Sequence, residues 1–121
     1  ASERAGKLYD LKVLQKHINF QNDNSTKFVV VVKNRICLSD ATNISICFTT
    51  KHKVGALYDI MGIFFHNRLN MTSIESRPSL KHKWEYMFYV DFEGKLTDRN
   101  VQKALGEINA NSDELLVLGT Y

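Results

Sequence analysis

At 121 residues, 44% hydrophobic and 24% charged, the chain has room for one ordinary globular domain, or for one domain and a piece of another. Its net charge of +3 comes from scattered basic residues, which argues against nucleic-acid binding. No apolar run approaches the roughly 20 residues that cross a bilayer and no leader pattern points to export, so no membrane partner and a cytoplasmic location are expected.

The chain opens on Ala1, Ser2, Glu3 and Arg4 and is expected to be a piece of a longer protein. Residues 1–9 have the spacing of the last turns of a helix, with Ala1, Ala5 and Leu8 toward one side. Leu11 to Ile18 alternates in part, as a strand does, and 19–25 is turn-forming. Thr26 to Val32 is expected to be a second strand. Its consecutive valines are β-branched and apolar on both faces, which suits a strand covered from both sides. This third of the chain is too small to cover those valines itself. Residues 34–42 then form a linker.

From Asn43 a cleaner pattern begins. Ile44, Ile46 and Phe48 alternate with Ser45, Cys47 and Thr49, as in a half-buried strand. Leu57, Met61, Phe64, Phe65 and Leu69 recur near helical spacing, which places a helix over Gly55 to Asn67. Asn70 to Arg77 is a strand with Thr72, Ile74 and Ser76 on one face and Met71, Ser73, Glu75 and Arg77 on the other. Pro78 has no N–H to donate and ends it. Trp84 to Phe92 alternates strongly. Thr97 or Asp98 caps a second helix carrying Val101, Ala104, Leu105 and Ile108, which Asn109 to Ser112 break. Leu115 to Leu118 is the last strand, loosened at its end by Gly119. The order over 43–121 is β-α-β-β-α-β. That makes an α+β, ferredoxin-like domain: a four-stranded antiparallel sheet with two helices on one face.

Two stretches carry chemistry. The turn of His52, Lys53, Val54, Gly55, Ala56 and Leu57 opens a helix, whose first N–H groups lack partners inside the helix and carry the positive end of its dipole. A carboxylate fits there, and small residues let a ligand approach the backbone; glycine also serves simply to let a chain turn tightly. Glu75, Ser76, Arg77 and Pro78 offer an anion for an ammonium group, a cation for a carboxylate, and a rigid end. Such residues at a strand's end also serve simply to meet water. The histidines (17, 52, 66 and 82) and the two cysteines, Cys37 and Cys47, lack metal-ligand spacing, so neither a metal nor a cofactor is expected. An aromatic strand is also the platform on which RNA-binding domains of similar topology stack bases, but Glu85, Asp91 and Glu93 would repel phosphates, and core packing explains it better.

Gly55-Ala56-Leu57 followed by Glu75-Ser76-Arg77-Pro78 resembles the pair of phenylalanine-binding motifs in the ACT domain of prephenate dehydratases. Trp84 to Asp91 and the closing Val117 to Tyr121 resemble the same domain. Aromatic amino acid hydroxylases share the Glu-Ser-Arg-Pro element. Leu11 to Ile18 and Asn24 to Phe28 are similar to the last strand pair of the dehydratase catalytic domain, with Thr26-Lys27-Phe28 where that family has Thr-Arg-Phe. The resemblance is closest to the bifunctional chorismate mutase–prephenate dehydratases. It implies that 1–33 is the tail of a catalytic domain and 43–121 an ACT regulatory domain. It implies that Thr26 protonates the leaving hydroxyl as prephenate becomes phenylpyruvate, beside the cation of Lys27, which lacks arginine's planar fork. It implies L-phenylalanine as an allosteric effector, held by Val54 to Leu57 and by Glu75 to Pro78 in a homodimer joined through ACT domains. The 121-residue chain alone is expected to be catalytically inert. The alternatives are the ACT domain of an aromatic amino acid hydroxylase and a ligand-free dimerisation module.

Overall fold

The computed structural model describes residues 3–16, 18, 25, 26, 28, 30–33, 40–50, 52–79 and 85–121. The chain forms two compact units, Ala1–Val31 and Val32–Tyr121. Most of the linker and the cysteine at 37 lie outside the described residues.

The first unit contains helix α1 (Glu3–Leu8). Its end is closed by the Tyr9 N–H on Ala5 O and the Leu11 N–H on Gly6 O. Asp10, at φ 48°, takes the left-handed turn that often follows a helix. Among the described residues in 11–18 and 26–32, none is in the expected strand pair. A run apolar on both faces needs a layer on each side to hold as a strand. Val30 and Val31 instead stand exposed.

The second unit runs β1 (Asn43–Thr50), α2 (Ala56–His66), β2 (Met71–Pro78), β3 (Tyr86–Glu93), α3 (Arg99–Asn111), β4 (Ser112–Thr120). The four strands form one antiparallel sheet in the order β2-β3-β1-β4. The register pairs Ile44 with Phe92, Ile46 with Val90 and Phe48 with Phe88, so these alternate residues share one face. Both helices cover that face. Ile60 and Phe64 of α2 and Val101, Ala104 and Ile108 of α3 join it in a single core. Phe48 stacks on Phe88 with ring centroids 5.6 Å apart, and Phe64 meets Phe92 edge-on at 5.3 Å. This is the ferredoxin-like arrangement expected from the alternation.

Four details depart from the expected pattern. A register shift between Met71 and Ser73 pairs Met71 with Phe92 and Ser73 with Asp91, so Met71 packs on the core instead of sharing a face with Glu75. Asp98 is the N-cap of α3, but its carboxylate accepts from the Lys95 N–H at 2.9 Å rather than from the helix. The helix runs through Asn109 to Asn111, held by buried Ile108 and by the Asn111 amide donating to Glu107 O at 2.9 Å. Gly119 stays in the ladder opposite Ser45, beside a bulge, and Tyr121 and Asn43 exchange backbone hydrogen bonds at 3.0 Å beyond it.

Gly94 turns the chain out of β3 at φ 149°, and an added Cβ would stand 2.8 Å from Cγ2 of fully buried Val101. Gly94→Ala is therefore expected to cost about 1–3 kcal/mol, through backbone strain and overpacking together. Urea denaturation would read it as a lower midpoint at unchanged slope.

Candidate functional site

Gly55 is the N-cap of α2, at φ 80° and ψ 0°. This left-handed conformation is open to glycine and strained for most other residues. The Ala56 N–H bonds Lys53 O at 3.3 Å and the Asp59 N–H bonds Gly55 O at 2.9 Å. Between them, the N–H groups of Leu57 and Tyr58 have no acceptor among the described residues. Lys53 Nζ stands 2.8 Å from Asp59 Oδ2 and ties the turn to the helix's first coil. The two open N–H groups carry the positive end of the helix dipole into the space in front of them.

Gly55, Ala56 and Leu57 line a concave site of about 260 Å³, together with Glu85 and Tyr86 at the start of β3. Thr50, His52, Lys53 and Tyr58 complete it. Ligand sites usually enclose roughly 300–1,000 Å³, so this concavity is at the small end of that range. The antiparallel register brings the parts together. Thr49 pairs with Met87, so the end of β1, from which the turn departs, lies beside the start of β3. Val54 is fully exposed and does not line the concavity.

Glu75, Ser76, Arg77 and Pro78 form the exposed end of β2, whose only sheet neighbour among the described strands is β3. They divide between two faces. Ser76 pairs with Phe88 and Pro78 with Tyr86, on the side that carries the helices. Glu75 pairs with Tyr89 and Arg77 with Met87, on the helix-free side. There Arg77 Nη2 donates to Glu75 Oε2 at 3.0 Å, with both side chains more than half exposed. None of the four lines the concavity within one protomer, although Pro78 is the strand partner of Tyr86, which does.

Thr50, Tyr58, Glu85 and Tyr86 line the concavity without having been expected there. For Glu85 and Tyr86 the signal is the β1–β3 register. In the first unit, Thr26 and Phe28 are exposed and Lys27 lies outside the described residues. No cluster of metal-ligating side chains occurs among the described residues, and no helix there is long and apolar enough to cross a membrane. Cys47 is buried and unpaired; desolvation first, then the carboxylate of Glu114, pushes its thiol up, which suits packing rather than reaction.

A βαββαβ sheet with a glycine-started helix opening at the end of its first strand defines a ferredoxin-like domain of the ACT class. The chain is a homologue of the bifunctional chorismate mutase/prephenate dehydratases. It is 40% identical to the one from Aquifex aeolicus over all of its own length and 33% of that protein's. It thus spans about a third of the curated relatives it matches. No protein-family model matches it. Among solved structures, prephenate dehydratase from Arthrobacter aurescens in complex with L-Phe superposes with a TM-score of 0.58 at 33% identity, over 67% of this chain and 26% of that one. Prephenate dehydratase from Staphylococcus aureus gives a TM-score of 0.66 at 22% identity, over 73% of this chain and 33% of that one, and supports the fold alone.

Proposed function

We propose that this chain is the L-phenylalanine-sensing part of a cytoplasmic prephenate dehydratase and mediates feedback control of phenylalanine synthesis. The observation that carries this reading is the start of α2, where Leu57 and Tyr58, whose N–H groups have no acceptor among the described residues, line a concave site. The L-Phe complex of a 33% identical neighbour supports it. The effector's carboxylate takes the Leu57 and Tyr58 N–H groups, and its ring packs against Leu57. A second protomer closes the site with β2, the strand that carries Glu75 to Pro78. Two features support that pairing. The outer edge of β2 is open among the described strands, and α2 exposes Tyr58 and Phe65 opposite its buried side. The effector regulates only to the extent that it binds one arrangement of the two protomers better than another, a coupling of typically about 1–3 kcal/mol.

Calorimetric titration of the 121-residue chain is expected to give L-phenylalanine binding in the micromolar-to-millimolar range. Absence of binding at millimolar effector would favour the ligand-free dimerisation module instead. The same chain is expected to turn over no prephenate, because Thr26 and Phe28 of the Thr-Lys-Phe signature stand in water and enclose nothing. A single-turnover assay that produced phenylpyruvate would contradict this.

A further inference from the structure

We propose that the helix-free face of the sheet is an interface within one polypeptide, covered by the part of the longer protein that lies outside residues 1–121.

A sheet face turned to water reads polar along its strands. This one is apolar at its centre. The register sets Cys47 of β1 between Tyr89 of β3 and Leu116 of β4, and in the next row Thr49 lies beside Met87. These positions alternate with the core residues Ile46, Phe48 and Val90, so they look away from the helices. Cys47 is buried in the trough between its neighbours, whereas Tyr89 and Leu116 are 39% and 56% exposed. The inner strand β1 carries no charge on this face, only Ser45, Cys47 and Thr49. Charged residues stand around the centre: Glu75 and Arg77 on β2, Asp91 toward the end of β3, Glu114 near the start of β4. Arg77 donates to Glu75, and the Ser45 hydroxyl donates to Asp91. An apolar centre inside a polar rim is the anatomy of a protein interface.

The size of the face selects its occupant. Four strands about 4.8 Å apart, paired over roughly seven residues of about 3.3 Å each, make a face of roughly 400 Å². Two such faces bury roughly 800 Å² together, short of the roughly 1,200–2,000 Å² of a stable contact between separate chains. That area falls within the roughly 600–1,500 Å² that joins domains of one chain, where the covalent tether raises the effective concentration. Symmetry also disfavours a second copy, an argument that rests on the pairing through β2 proposed above. That pairing has its twofold axis normal to the sheet, at the β2 edge. A face-to-face twofold centred on Cys47 and Tyr89 would not meet that axis. Two such contacts generate an open fibre in place of a closed assembly. The chain spans only about a third of the curated relatives it matches, which leaves about two thirds of such a protein to supply the cover.

Hydroxyl-radical footprinting of Tyr89, Met87 and Leu116 tests this in the 121-residue chain and in the full-length protein, each at low and high micromolar concentration. In the full-length protein their oxidation is expected to slow by about fivefold or more at both concentrations, since water is excluded from an interface core. In the short chain it should stay fast at both. Equal rates in the two proteins would overturn the proposal. Protection in the short chain that grows with concentration would also overturn it, by making a second copy the occupant. Leu116→Asp supplies an independent check. In the short chain its side chain stands in water, and the urea midpoint should not move. In the full-length protein the variant should bring Tyr89 oxidation up to the short-chain rate, because an aspartate cannot be buried there unpaired. A full-length Leu116→Asp variant with Tyr89 still protected would overturn the proposal. None of these readouts involves L-phenylalanine, so failure of the sensor reading is a separate result.

Discussion

Gly55→Val is expected to abolish L-phenylalanine binding, by on the order of 100-fold or more in affinity, while leaving the sheet and its core intact. The argument is conformational. Gly55 holds φ 80°, and nothing lies within 4 Å of the position a Cβ would take. Valine therefore meets no neighbour. It meets only the strain of a β-branched residue in the left-handed region, which costs about 1–3 kcal/mol. The cheapest relief is to rotate the turn, which swings the Leu57 and Tyr58 N–H groups away from the concavity and lets the isopropyl group enter it. The core residues of α2, Ile60 and Phe64, lie further along the helix and keep their packing. Gly55→Asn is the matched control, because asparagine tolerates the left-handed conformation and is expected to retain affinity within about threefold. Calorimetry reports the affinities and far-UV circular dichroism the fold. Wild-type affinity in the valine variant would place the effector elsewhere.

The contrast between what alternation disclosed and what it hid has a physical basis. The buried side chains of β1, α2, β3 and α3 repeat at the period of their own backbone, so Ile44, Ile46 and Phe48, or Val101, Ala104 and Ile108, announce their elements without any partner in view. Pairing information is not local. That Glu85 and Tyr86 face the turn at Gly55 depends on which strand lies beside β1, and the chain passes through β2 before it reaches them. The same holds for Met71, whose inward turn depends on a bulge opposite β3. Glu75 and Arg77 sit two residues apart, so their pairing with each other was available from strand periodicity. Val30 and Val31 show the converse failure: β propensity without a neighbouring strand does not make a strand.

Phe65→Asp is expected to dissociate the protein into monomers and, with that, to weaken L-phenylalanine binding. Helix α2 is apolar on two sides. Ala56, Ile60 and Phe64 are buried in the core, while Tyr58 and Phe65, near the opposite side, are 79% and 78% exposed. A helix apolar around most of its girth is ordinarily covered around most of it. The neighbouring β2 edge offers unpaired backbone groups that a second sheet can continue. In the twofold pairing proposed above, β2 continues into the sheet of its copy and the two α2 helices approach one another. Burying an unpaired aspartate there costs about 3 kcal/mol or more, which is on the order of 100-fold in dimer dissociation. Phe65→Leu keeps an apolar contact and should remain dimeric. Sedimentation at micromolar protein, with and without L-phenylalanine, separates the outcomes. A monomer that regains dimer on adding millimolar effector would show ligand and pairing to be linked, because anything that binds only the paired state stabilises it. A Phe65→Asp dimer with wild-type affinity would remove α2 from the interface and leave the β2 edge to carry it alone.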